Sequence, residues 1–464
     1  MHIQFPASRF GNLDNMVAQS AVSRDFVFVG SQTPHNLETG ALVLRLDQLP
    51  SNLTATIPSE MVISDVPETR IRVQTLQALG NLRTAPEAAG SSIERLVRLR
   101  MFLRNQRDLA SAVGIVHQLL GSQLPATTAI ETTGPNVDPD IDIQVDAIAL
   151  SKTSDFELKH VTIPELASLH RPFPTATIAG PLLFTTPISG CDLVTRRPVR
   201  HLFELTDKER ELAADYYVNL RDEFYVAEHL MMWRHLRRIL STVSVPFENI
   251  LHQNNWLRIS MQQYVPVTRV RRNLFGLAGE RTAATSLPIS NLRTEGASYE
   301  CSLIAVRPGF EKQGYTKEVR IGSHGIGPYY LGATRAGPYV FAAGEVPIDT
   351  RGGRPRMVER SKDLSGGLQN LQYGRIHSEI PLMAQAEFVY ELIGAGLASY
   401  GCSFADVTHQ TVYLVDVGDY PALERMAVLH YGRRFPPTSV VPILGASPFR
   451  ETLLEIEVTA VAAQ

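Results

Sequence analysis

The chain has 464 residues, 44 basic against 47 acidic side chains for a formal charge of −3, and is 44% hydrophobic and 20% charged. That balance suits a soluble multidomain protein with more than one core, and it offers no basic excess for nucleic acid. Three cysteines make neither a disulfide framework nor a metal cluster, no stretch reaches the ~20 apolar residues of a membrane span, and the first residues lack a charged and then apolar leader; a reducing, cytoplasmic setting is expected.

Taken in chain order, residues 25–32 read as a strand ended by the turn chemistry of 36–40. From 68 to 88 apolar residues recur at helical spacing, with Ile71, Val73, Leu76, Leu79 and Leu82 on one face, and Gly90 closes the helix. A second strand is expected over 93–103 and a second helix over 108–120. The segment 125–130 turns into a third strand, and 144–150 closes the set. A second set opens with a strand at 182–186, continues with a helix over 223–240 that turns Ala227, Leu230, Met231, Leu236 and Leu240 inward, and has its next strand at 256–260. The charged stretch 206–222 reads as an insertion. A third set places a strand at 339–343, a helix at 381–400 capped by Gly401 and a strand at 407–415. Strand-helix alternation of this kind gives an α+β layer architecture.

The three sets keep one period. The closing strands end at Leu150, Val306 and Val461, separated by 156 and 155 residues, and the opening strands reach Phe28, Phe184 and Phe341, separated by 156 and 157. Two independent landmarks with one spacing indicate three tandem copies of a domain, with boundaries expected at 1–151, 165–310 and 318–464 and linkers at 151–166 and 307–319.

In the third copy, Gly327-Pro328-Tyr329, the strand ending Ala343-Gly344-Glu345 before Pro347, the run Phe435-Pro436-Pro437-Thr438-Ser439, and the closing strand from Glu455 to Val461 resemble the reactive-intermediate deaminase (Rid) family in order and spacing. The resemblance is good in the first copy and weakest in the second. It implies a chorismate-mutase-like fold of a β-sheet plus two helices. Because family members are homotrimers with a cleft at each subunit interface, it also implies that three fused copies form an intramolecular pseudo-trimer. Fusion frees the three clefts to diverge. A monomeric pseudo-trimer is expected, with a larger assembly left open.

The resemblance also supplies candidate site residues. The family's strand glutamate matches Glu455 and Glu300, and Gln144 in the first copy, where acid/base chemistry is lost. A solvated edge carboxylate is the structural alternative for Glu455, since Glu457 alternates onto the same face. Tyr329 matches the active-site tyrosine, and Tyr330 could add a second aromatic wall. Ala343-Gly344 match a Ser-Gly pair, keeping only the backbone N–H as a donor, and Glu345 stands where the family has glutamine. The family's carboxylate-binding arginine is missing: Thr127, approximately Ala284 and Thr438 occupy its positions, and Arg281 is a displaced substitute or a surface residue. More carboxylates and no arginine would favour a cationic or neutral substrate unless an arginine arrives from a neighbouring copy.

The second and third copies together also resemble the chorismatases. The stretch from Tyr264 to Gly276 is similar to their arginine-rich helix; Arg269, Arg271 and Arg272 are there an anion site or a solvated face. No dinucleotide, phosphate-loop, zinc-protease or nucleophile-elbow motif occurs, and His229 and His235 read as ordinary surface histidines, so neither a metal nor a cofactor is expected. The expected function is acid/base hydrolysis, hydration or deamination of a reactive imine, enamine or related carbonyl compound. The alternatives are a chorismatase-like lyase or hydrolase, and a pseudo-trimer that only binds a ligand or partner. The partner implied is a small-molecule substrate, without nucleic acid or membrane.

Overall fold

The computed structural model describes residues 2–4, 18–54, 69–121, 123–136, 138–213, 222–275, 281–310, 330–349, 356–359, 380–432 and 435–463. The first unit contains β1 (His2–Gln4), β2 (Ser20–Ser23), β3 (Phe26–Gln32), α1 (Ser51–Thr54), α2 (Thr69–Ala88), β4 (Leu96–Leu103), α3 (Leu109–Leu120), β5 (Ala126–Glu131) and β6 (Ile143–Leu150). The second contains β7 (Leu158–Val161), α4 (Ala167–His170), β8 (Ala176–Ala179), β9 (Leu182–Thr185), α5 (Asp207–Glu211), α6 (Glu223–Thr242), β10 (Ile250–Leu257), α7 (Met261–Leu274), β11 (Thr282–Pro288) and β12 (Tyr299–Val306). After β13 (Tyr330–Leu331) the third contains β14 (Ala333–Ala336), β15 (Tyr339–Ala342), β16 (Ile348–Asp349), β17 (Arg356–Met357), α8 (Ile380–Ala398), β18 (Val407–Leu414), α9 (Tyr420–Tyr431), β19 (Thr438–Pro442) and β20 (Leu454–Val461).

The sheets repeat one order. Strands β3-β6-β4-β5, β9-β12-β10-β11 and β15-β20-β18-β19 are neighbours in the same sequence, each with one parallel pair at its end. Two helices cover one face of each sheet. In the first unit Ile71, Val73, Leu76, Leu79 and Leu82 are all at most 2% exposed against that sheet, each contributing roughly 1.5–3 kcal/mol of burial. The three tandem α+β domains expected from the period are therefore present.

The other faces of the sheets meet on a pseudo-threefold axis. At one end Phe26 and Phe28, Phe184, and Tyr339 and Phe341 form a common apolar cluster. At the other, Phe102, Trp256 and Tyr413, from repeat-equivalent positions on β4, β10 and β18, pack edge to face at 6.4 and 6.2 Å. Between these aromatic layers lies a buried ionic one, in which Arg100 pairs with Asp146 and reaches Glu457 of the third unit. An intramolecular pseudo-trimer results.

Three local expectations are corrected. The second-unit strand runs 250–257 rather than 256–260, because its side chains are buried on both faces and carry no alternating signal. The segment 151–166 is not plain linker; it includes β7, which extends the second sheet beside β8. His229 and His235 are buried, at 1% and 3% exposure. The first accepts from the Trp233 indole N–H, and the second contacts the Cys191 carbonyl at 2.7 Å. In addition, β13 precedes the third unit's own strands and pairs with β11 of the second. Among the described residues no helix is long and apolar enough to cross a membrane.

Candidate active site

Three repeat-equivalent clefts form where the strand bearing Gln144, Glu300 or Glu455 faces a neighbouring unit. Strand register makes the equivalence explicit: Gln144 opposes Phe102, Glu300 opposes Trp256, and Glu455 opposes Tyr413. The first cleft is closed by Gln144 itself, whose amide donates to the Val440 carbonyl at 2.6 Å. Thr438 belongs here and not beside Glu455: the Thr438 backbone lies so close to Gly30 that a Cβ at Gly30 would meet its nitrogen at 2.7 Å.

The second cleft is filled from within its own unit. Glu300 accepts from the Thr294 backbone N–H at 2.8 Å, and burial raises its pKa against the opposing charge of Arg293. Arg293 in turn donates to the carbonyls of His170, Leu169 and Pro187. Nearby Ser189 and Thr294 bond to each other at 3.1 Å.

The third cleft is open, with a cavity of about 110 Å3 between the second and third units. Helix α7 supplies one wall through Tyr264, Thr268 and Arg271; Ala284 and Ser286 of β11 form the side; Gly344 and Glu455 form the floor. The N-terminus of α7 is fixed by Ser260, whose hydroxyl accepts from the Gln263 N–H in a capping box. A larger hollow of about 510 Å3 lies on the second unit, lined by Arg200, His201, Glu223 and Arg258. It does not include Glu455, so size alone does not identify the site.

Glu455 is 3% exposed, not a solvated edge carboxylate. Burial first, then the neighbouring carboxyls of Glu457 and Glu345, push its pKa well above the ordinary carboxylate value, against a hydrogen bond from the Ser286 backbone N–H. Its protonated form is thereby favoured over its charged form. Glu457, two residues on, is the opposite case. Burial alone would raise it, but Arg100 and the donors Thr285 and Tyr413 hold it at about 2. We assign the lowering to Arg100 before His252, since burial keeps the His252 imidazole neutral. Glu345 is buried beside the cleft, its backbone paired with Ile456, its pKa raised to about 8 by burial, and its Oε2 without a partner among the described residues.

Several sequence expectations change in this geometry. The Gly344 N–H, expected as a donor to substrate, donates to the Ala284 carbonyl at 3.2 Å. Glycine is required there for another reason: a Cβ would meet Glu455 Oε1 at 1.7 Å. Tyr329 lies outside the described residues, as does the side chain of Tyr330, whose backbone forms β13. Arg281 is half-buried just before β11 and does not line the cavity. Arg271 does line it and is 2% exposed, with its Nη1 donating to Tyr264 Oη at 3.2 Å. An arginine thus enters from the helix of the neighbouring unit rather than from the strand position now held by Ala284. The side chains of Arg269 and Arg272 lie outside the described residues. Tyr264 and Ser286 were not singled out in sequence, and only their proximity across two units reveals them. Among the described residues no group of His, Cys, Asp and Glu side chains could hold a metal.

The sequence model described as Endoribonuclease L-PSP matches residues 53–151 and 323–462, together more than half of the chain. Among curated relatives, a RutC family protein of Pyrococcus horikoshii is 27% identical over 132 residues, covering 28% of this chain and 84% of the relative. Protein DfrA of Myxococcus xanthus is 30% identical over 141 residues, covering 30% of this chain and 87% of the relative. Among solved structures, a chorismatase aligns over 79% of this chain and 93% of its own, at 12% identity and a TM-score of 0.44. Yeast Mmf1 aligns over 32% of this chain and 94% of its own, at 17% identity and a TM-score of 0.23.

Proposed function

Because the chain belongs to the Endoribonuclease L-PSP family, we propose that it is a small-molecule enzyme with a single working cleft, between the second and third units, and Glu455 as its general acid. The observation that carries this reading is the coexistence of a buried carboxyl with a raised pKa and an open cavity at Glu455, while the equivalent positions Gln144 and Glu300 have theirs filled. The family's name refers to ribonuclease activity. A net charge of −3 and a cavity of about 110 Å3 suit a metabolite rather than a nucleic-acid strand.

Arg271 and Glu455 divide the labour. The guanidinium of Arg271 suits a substrate carboxylate. The protonated Glu455 would deliver its proton to the nitrogen of an imine, or to the carbon of an enamine or enol ether, leaving an electrophilic carbon for water. The resulting carboxylate would then take a proton from that water as its oxygen bonds to the carbon, which restores the acid, and collapse of the carbinolamine or hemiketal to the carbonyl would expel ammonia or the alcohol. Arg271 also favours an acidic substrate over the cationic or neutral one expected without an arginine. It therefore keeps a chorismatase-like lyase or hydrolase as the second reading, with deamination of a 2-imino acid as the first. Thr438 and Glu300 have no part in this cleft.

Proton NMR of freshly generated 2-imino acids and chorismate, with the wild-type chain and with Glu455→Gln, tests the proposal. Faster loss of imine with the wild type alone supports the first reading, and loss of chorismate supports the second. Equal loss with both proteins would remove Glu455 from the chemistry.

A further inference from the structure

A second, small space lies on the pseudo-threefold axis and shares no lining residue with the Glu455 cleft. Equivalent positions on β4, β10 and β18 bring Arg98, His252 and His409 to its wall, beside Asn254 and Glu457. Its volume is about 10 Å3, room for one water molecule or one small ion.

The polar groups around this chamber are unevenly served. Arg100 forms a two-pronged pair with Asp146, at 2.8 and 2.7 Å, and Asp146 also accepts from Ser439 Oγ at 2.6 Å. Glu457 accepts from Tyr413 Oη at 2.8 Å, Thr285 Oγ1 at 2.6 Å, Asn254 Nδ2 at 3.1 Å and Arg100 Nη1 at 3.4 Å. Arg98 is left out. Among the described residues no hydrogen bond or ion pair reaches its guanidinium, and its Nε is buried without a partner. The side chain is of intermediate exposure and lines the chamber. Burial and the like charge of Arg100 draw its pKa down only to about 10, so it stays cationic at neutral pH.

His252 carries the second unserved atom. Its Nε2 lies 3.3 Å from Thr285 Oγ1, whose hydroxyl proton is given to Glu457. With the imidazole proton on Nε2, donated to Thr285 Oγ1, Nδ1 carries a lone pair that no hydrogen bond reaches among the described residues, while the Asn254 side chain lies beside the ring. The charged and titratable groups facing His252 are Arg98 and Arg100 of β4, His409 of β18 and Glu457 of β20, with Asp146 of β6 behind Arg100. Two guanidiniums and two carboxylates cancel, and burial keeps both histidines neutral. An anion alone would leave the cluster with an uncompensated negative charge. An anion and a proton together leave it neutral, occupy Nδ1, and give Arg98 a counter-ion of its own.

We propose that the axial chamber binds one small monovalent anion of halide size together with one proton from solvent, the proton taken up on His252 Nδ1 and the anion held by Arg98. Such a site ties the first unit to the second at the axis, and its occupancy stabilises the fold by mass action.

The test uses the full chain. Crystals soaked in sodium bromide at about pH 5.5 and about pH 8 are examined by anomalous scattering. Thermal unfolding is compared in sodium bromide and in sodium gluconate, whose anion exceeds the chamber, at equal ionic strength. We expect a bromide peak against Arg98 at the lower pH. We also expect a bromide-specific rise in Tm of about 1–3 °C that shrinks at the higher pH and disappears in Arg98→Met. Should that variant fail to fold, the wild-type bromide map decides alone. A chamber without bromide at both pH values, or a bromide effect on Tm that does not grow as the pH falls, overturns the proposal.

Discussion

The carboxyl of Glu455 rests directly on the backbone of Gly344, leaving no room for a Cβ there: one built on Gly344 would lie 1.7 Å from Oε1. The acid is thus positioned by an absent side chain. Gly344→Ala is expected to displace the carboxyl by the order of an ångström and reduce turnover about 100-fold, with the fold retained by circular dichroism. Undiminished turnover would mean that the carboxyl's position is not critical.

Glu455→Gln is expected to abolish turnover while raising stability at neutral pH. The sign follows from proton counts. The folded acid has a raised pKa and keeps its proton where the unfolded one has lost it, so wild-type stability falls as pH rises above the unfolded value of 4.5 toward the folded value. Glutamine removes that slope. Denaturant unfolding of both proteins at acidic and neutral pH should show a difference that widens with pH, and parallel curves would contradict the raised pKa.

The same reasoning gives Glu345 its own window. With its pKa raised to about 8 by burial, Glu345→Gln should match the wild type near pH 4.5 and gain on it between there and about pH 8, by at most roughly 1.4 kcal/mol per pH unit. Chemical denaturation across that range measures the gain.

Arg271→Met is expected to raise KM for a carboxylate-bearing substrate about 10-fold or more while changing kcat less. Steady-state kinetics on whichever substrate the NMR screen identifies would show it. A fall in kcat with constant KM would move Arg271 from binding to chemistry.

Asp146→Asn is expected to cost about 3–5 kcal/mol, since it leaves Arg100 buried without its main counter-ion. Asp146 has a lowered pKa and Glu457 is held at about 2. Their contribution is present above the unfolded carboxylate pKa and is lost as the pH falls through the folded values, so acid unfolding of the wild type should begin below about pH 4. A thermal scan of the variant at neutral pH and a pH titration of the wild type check the two halves.

Much of this protein is legible in one dimension. The period shared by Phe28, Phe184 and Phe341 determined three domains, and the spacing of Ile71, Val73, Leu76, Leu79 and Leu82 determined the buried face of α2. Such patterns are local, because an element's own period decides which of its side chains face inward. The family was also within reach of sequence, through the order of short motifs around Gly344, Thr438 and Glu455. The differing states of three equivalent clefts were not. Gln144 closes its cleft on Val440, Thr438 sits against Gly30, and Arg271 reaches the Glu455 cleft from another unit. These are contacts between residues far apart in the chain, and a carboxyl's burial depends on what the neighbouring units bring to it. Sequence therefore determined the repeat, the layers and the acidic positions. Only the tertiary structure decided which acid is desolvated beside open space, because desolvation is a property of the assembled surroundings and not of the residue.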